Sequence, residues 1–127
     1  MLKLTDTVEI GKILEGEIIS LETVPDQLYS QKMLGNGIAI IPTGNIVKSP
    51  CTATIATISE VGHSLVLNAD GKKILIHIGL DSFLDKGAFT VFVKEGQQVK
   101  EGDALIKIDL AKLSQKYIPI ILLDEAE

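Results

Sequence analysis

At 127 residues, with 46% apolar side chains but only 4% aromatic ones, the chain is long enough for one domain whose core is built from Ile, Leu and Val. Its 12 cationic residues are all lysines and its net charge is −5, so it repels polyanions and lacks the guanidinium fork used on phosphates and base edges; nucleic acid is not an expected partner. Cys51 is the single cysteine, which excludes a disulfide framework or a thiolate cage for a metal and leaves the reading of a small buried hydrophobe.

In chain order, no basic region followed by an apolar run opens the sequence, so no signal peptide is expected. Gly16 to Ile19 reads as the first strand. Pro25-Asp26 then caps a single helical turn through Lys32. The longest uncharged stretch, Met33 to Val47, is interrupted by glycines and Pro42 and is too short to span a bilayer, so a cytoplasmic protein is expected.

Further strands follow at Gly37 to Ile41, Ala53 to Ala56, Ser64 to Leu67, Ile74 to Ile78 and Ala104 to Ile108. The turns between them are signalled by Gly35-Asn36-Gly37, Pro42-Thr43-Gly44-Asn45, Ala69-Asp70-Gly71 and Lys94-Glu95-Gly96. Asp109 is placed to cap a helical stretch from Leu110 to Tyr117, which Pro119 stops. Many short strands at this spacing predict an all-β, antiparallel sandwich or barrel-like fold with one or two single-turn helices, as one domain over residues 1–127.

Chemistry centres on the two histidines, His63 and His77, which flank Asp70. A three-residue loop Ala69-Asp70-Gly71 pairs Asn68 with Lys72, Val66 with Ile74 and His63 with His77. A two-residue Asp-Gly loop opposes His77 to Ser64 instead and makes His63 a diagonal neighbour on the other face. In either register Ile74, Ile76 and Ile78 point to the core. Leu75, His77 and Gly79 take the opposite face, with His63 and Leu65 across the strand in the first register. Gly79 there allows close approach of a partner's backbone. Two adjacent imidazoles in an apolar setting stay neutral and nucleophilic near pH 7. From spacing alone, ordinary strand histidines, a metal site and a phosphoryl carrier all remain open.

The stretch Ile74-Leu75-Ile76-His77-Ile78-Gly79-Leu80-Asp81-Ser82 resembles the active-site signature of the glucose-type IIA family of the bacterial sugar phosphotransferase system. Residues from Pro25-Asp26 through Gly35-Asn36-Gly37-Ile38-Ala39-Ile40, His63-Ser64, and Glu95-Gly96-Gln97-Gln98-Val99 through Gly102-Asp103-Ala104-Leu105-Ile106 are similar in the same order. The resemblance runs from about residue 9 to 123. It implies an antiparallel β-sandwich in which His77 accepts a phosphoryl group from phospho-HPr and passes it to a cysteine of a IIB domain. Association with the membrane is then indirect, through IIC.

The same resemblance implies that His63 hydrogen-bonds the phosphoryl oxygens and that Asp81 supports the site. Asp26, Leu28, Tyr29, Met33, Leu34, Leu75 and Phe83 are implied as the docking surface. No cofactor and no metal is expected. Val61 stands where the family carries a threonine, Ser59 where it carries an aromatic residue, and Ser82-Phe83 where it carries Thr-Val.

Three other readings stand beside this one. A degenerate member used only for regulatory docking is suggested by Val61 and Ser59. A zinc-binding β-sandwich hydrolase would use His63, His77 and Asp81 as ligands, but Ile78-Gly79 follows His77 where a second histidine is needed. A biotinyl or lipoyl carrier shares the Gly96–Gly102 rhythm, but its modified lysine has only Lys72-Lys73 as a counterpart, without the usual neighbours.

Overall fold

Short runs of Ile, Val, Leu and Thr, cut by glycines and carboxylates, can bury an alternating face without forming long helices. In a computed structural model, which describes residues 2–80, 85 and 87–123, they do so as antiparallel strands. In chain order these are β1 (Leu2–Lys3), β2 (Glu9–Ile10), β3 (Gly16–Ser20), β4 (Gly35–Pro42), β5 (Ile46–Lys48), β6 (Ala53–Ile58), β7 (Ser64–Ala69), β8 (Lys72–His77), β9 (Phe89–Val91), β10 (Gln98–Val99), β11 (Ala104–Ile108) and β12 (Ile118–Leu123). A large sheet has the order β10-β6-β7-β8-β12-β4-β3, a smaller one β5-β11-β9, and β1 pairs with β2.

Among the described residues the α-helical turn α1 (Gln27–Ser30) begins as expected: the Asp26 carboxylate accepts from the Leu28 N–H at 2.9 Å. The expected helix after Asp109 is only a 3-10 turn, Leu110–Lys112, and Asp109 makes no side-chain cap there. Tyr117 leads directly into β12, because Ile118, Ile120 and Ile121 are fully buried and the sheet rewards that burial more than a solvated helical turn does. Pro119 is tolerated in this central strand because the β8 ladder spans only Ile120 to Leu122; the residue lies just beyond it.

Alternation divides the buried side chains into two clusters. Ile55, Leu65, Leu67, Ile74, Ile76 and Ile120 of the large sheet join Val47, Leu105 and Ile106 of the smaller sheet in the main core. The other face of the large sheet is covered by the segment around α1, where Leu21, Val24 and Tyr29 pack on Ala39, Leu80 and Ile121. Each fully buried Ile or Leu contributes about 1.5–3 kcal/mol. The Lys32–Glu22 ion pair at 3.3 Å is mostly exposed and contributes at most about 1 kcal/mol, so burial holds the fold.

The hairpin between β7 and β8 corrects the first of the two registers. Ser64, not His63, opposes His77; Val66 opposes Leu75 and Asn68 opposes Lys73. The loop is the two-residue Asp70-Gly71, both at positive φ (55° and 86°), the mirror-image turn whose twist matches the strands. Asn68 stabilises it by accepting from the Gly71 N–H through Oδ1 at 2.9 Å. The corrected register also sends Leu65 into the main core, 1% exposed, rather than to the histidine face.

Gly71 has open space where a Cβ would stand, so Gly71→Ala meets only backbone strain. The expected cost is about 1–2 kcal/mol, read from the midpoint of urea unfolding; an unchanged midpoint would show that this turn does not hold the register.

Candidate functional site

His77 ends β8, directly after the buried Ile76 and directly before the buried Ile78, so its ring emerges on the face opposite the main core. Its Nδ1 lies 2.8 Å from the Gly79 carbonyl oxygen. A carbonyl only accepts, so Nδ1 carries the proton, and in the neutral ring the lone pair is on Nε2. Gly79 is buried rather than available to a partner's backbone. Its φ of 81° is readily reached only without a Cβ, and its N–H donates to the Tyr117 carbonyl at 2.7 Å.

His63 lies one residue before β7, so strand alternation does not dictate where its ring points. The preceding turn does. Gly62 N–H donates to the Ser59 carbonyl, and Ser59 N–H to the Ser64 carbonyl, each at 3.0 Å. The His63 carbonyl in turn accepts from Ile78 N–H at 2.7 Å, tying this turn to the residue after His77. The ring then crosses to the His77 side: the two imidazole centroids are 5.1 Å apart with planes at 81°. The expected meeting of the rings thus occurs, through a turn instead of a cross-strand pair.

Each imidazole has an aromatic ring beside it. Tyr29 lies 5.7 Å from the His77 ring and Phe89 lies 6.4 Å from the His63 ring, centroid to centroid. Burial holds the His63 imidazole below its ordinary pKa. Burial, with the Asp26 carboxylate adding to it, pushes the Tyr29 phenol up to about 12. Among the described residues, no group of three or more His, Cys, Asp or Glu side chains is arranged to hold a metal ion. No helix among them is long and apolar enough to cross a membrane.

Residues 8–124 match the family described as phosphoenolpyruvate-dependent sugar phosphotransferase system, EIIA 1. The chain belongs to this family. It is 44% identical over 118 residues to the mannose-specific EIIBCA component of Corynebacterium glutamicum, covering 91% of this chain and 17% of that protein. It is 40% identical over 111 residues to the glucose-specific EIIA component of Haemophilus influenzae, covering 86% of this chain and 67% of that one. The glucose permease IIA structure from Mycoplasma capricolum superposes with a TM-score of 0.87 at 32% identity, over 99% of this chain and 86% of that one. Against the Corynebacterium EIIBCA proteins the chain spans only 17% of their length.

On this EIIA domain the residues expected at the docking surface separate by burial. Leu28 and Met33 are exposed at 40% and 64%, and Asp26 is part-exposed beside them. Leu34 and Leu75 are part-buried against the smaller cluster. Tyr29 corrects the expectation: at 4% exposed it is a wall behind His77, not a contact. Asp81 and Phe83 lie outside the described residues. Sequence reading missed Ser59 as a partner of His63; the four-residue spacing across Gly62 was the available signal. Cys51 is part-buried against the main core, close to the expected role.

The depressed pKa of His63 has a definite sign. The unfolded ring takes its proton first on acidification, so stability present above the ordinary imidazole pKa is lost as the pH falls through the folded value. His63→Gln should therefore flatten the fall in unfolding free energy between neutral and mildly acidic pH, measured by urea titration at each pH. An equal fall in both proteins would remove His63 as its source.

Proposed function

We propose that this domain is a phosphocarrier: Nε2 of His77 accepts a phosphoryl group from the phosphohistidine of HPr and passes it to a cysteine of a IIB domain. The observation that carries the reading is the Nδ1–H of His77 held by the Gly79 carbonyl at 2.8 Å, with a second imidazole centroid 5.1 Å away. The first feature directs the lone pair to Nε2. The second supports a role for His63 as a hydrogen-bond donor to the phosphoryl oxygens on this reading.

In the first transfer the Nε2 lone pair attacks phosphorus, the N–P bond to the donor imidazole breaks, and that imidazole leaves with the bonding pair. The new N–P bond is on His77, whose Nδ1–H stays with Gly79. In the second, a cysteine thiolate attacks phosphorus, an S–P bond forms, and the N–P bond to His77 breaks, returning the neutral ring. Phosphoryl transfer asks the protein mainly for alignment and for donors aimed at the moving charge. His63 supplies one such donor.

Leu28 and Met33 form an apolar edge beside the carboxylate of Asp26, which suits partners that present aliphatic surface with a basic rim. The two EIIBCA relatives are named for mannose and glucose; sugar uptake through IIB and a membrane IIC component is the corresponding role for this domain, at the cytoplasmic face.

Incubation with phosphorylated HPr should add about 80 Da, as an adduct stable in base and labile in acid. His77→Ala should abolish the adduct, whereas His63→Gln should still be labelled but deliver the group to IIB more slowly. Absence of the adduct on the unaltered chain would reduce it to a docking module, and labelling retained by His77→Ala would move the acceptor elsewhere.

A further inference from the structure

The hydroxyl of Ser59 lies 3.1 Å from Nδ1 of His63 and, at the same distance, accepts the backbone N–H of Ser64. A serine hydroxyl has one proton and two lone pairs. With Ser64 N–H already donating to the oxygen, two arrangements are open. In one, the Ser59 proton goes to Nδ1 of His63, which must then be unprotonated. In the other, Nδ1–H donates to the oxygen, which accepts twice while its own proton has to be satisfied by solvent. The first gives a head-to-tail chain, Ser64 N–H to Ser59 O–H to His63 Nδ1, in which each bond polarises the next in the same sense. It also satisfies the half-buried hydroxyl entirely within the protein.

From this geometry we infer that Ser59 is a positioning residue that holds His63 in the tautomer protonated at Nε2. The consequence for chemistry follows from the ring itself. With Nδ1 engaged by Ser59, the only N–H of the neutral His63 ring is on the far side, at Nε2. His77 is set the opposite way, with Nδ1–H on the Gly79 carbonyl and its lone pair at Nε2. The pair therefore presents one nucleophilic nitrogen and one donor, where two identical tautomers would present two lone pairs or two protons.

The hydroxyl comes from a position where the family resemblance implies an aromatic residue, and Val61 supplies none where that resemblance implies a threonine. The turn that carries Ser59 is built for the task. Ser59 uses its N–H on the Ser64 carbonyl and its own carbonyl on Gly62 N–H, both at 3.0 Å, so its side chain is held over His63 by these two backbone bonds and by the Ser64 N–H donating to its hydroxyl oxygen.

The effect on transfer rests on the phosphocarrier reading; the tautomer does not, and the test keeps them apart. In proton–nitrogen long-range correlation spectra of the isotope-labelled full chain at neutral pH, His63 should show its proton on Nε2. Ser59→Ala should shift the ring toward the Nδ1-protonated form, and Ser59→Thr should restore the original pattern. A His63 protonated at Nδ1 in the unaltered chain, or a pattern unchanged in Ser59→Ala, overturns the inference without reference to any partner.

With phospho-HPr and a purified IIB domain, Ser59→Ala should slow delivery about tenfold, the loss of roughly one hydrogen bond's orientation, while acceptance stays within about twofold. Ser59→Thr should recover delivery. Delivery that is unchanged, or that falls equally with acceptance, overturns the role. If the unaltered chain takes up no phosphoryl group, the carrier reading fails and the ring spectra alone decide the tautomer.

Discussion

The bond from His77 Nδ1 to the Gly79 carbonyl, 2.8 Å long, is the constraint through which the fold reaches the chemistry. It decides which nitrogen of the ring is nucleophilic, and it forms because Gly79 is held from the other side by the Tyr117 carbonyl at 2.7 Å. Tyr117 in turn precedes β12, whose Ile118, Ile120 and Ile121 are fully buried. The orientation of one imidazole is thus inherited from the burial of isoleucines on two neighbouring strands. Core packing, which is worth several kcal/mol per strand, fixes a proton position that no surface interaction could hold as firmly.

The second histidine is placed by a different device. Its ring lies outside the ladder, and a turn of backbone bonds from Ser59 to Ser64 carries it across to His77. A strand position could not have done this, because His63 is out of phase with His77 in the observed register. Separating the two placements has a chemical advantage. The strand end holds one ring against a carbonyl and the turn holds the other against a hydroxyl, so the two rings can be protonated on different nitrogens although they are the same residue type.

Much of this was legible in the sequence, and the failures have physical causes. The strand runs at Gly37 to Ile41, Ser64 to Leu67 and Ile74 to Ile78, and the cap at Asp26, declare themselves because hydrophobic period and cap chemistry agree there. The Ile74, Ile76, Ile78 alternation put His77 on the correct face. The hairpin register was ambiguous because Ala69-Asp70-Gly71 and Asp70-Gly71 both satisfy local turn chemistry; the pairing of Leu65 and Leu67 with Ile76 and Ile74 decides it, and that is a tertiary fact. β12 was hidden behind Pro119, a residue that argues against a central strand until the neighbouring ladder is seen to stop at Ile120. Tyr29 looked like a surface aromatic because nothing local reveals that the α1 segment folds over the second face of the sheet.

The location of the histidines also explains why they are only half-buried. A groove of about 680 Å³ exists elsewhere, lined by Thr43, Gly87, Lys107 and Asp109 among others, so the fold is capable of concave surface. The two rings are part-exposed beside Tyr29 and Phe89. An enzyme acting on a small molecule gains by enclosing it, since water exclusion strengthens every interaction in the site. A carrier cannot do this alone: a wall around His77 would exclude the side chain of the protein that delivers or receives the group. On the proposed reading, the missing half of the enclosure arrives with each partner. The domain then contributes what a shallow surface can hold rigidly, a lone pair and a donor fixed at opposite edges of two rings.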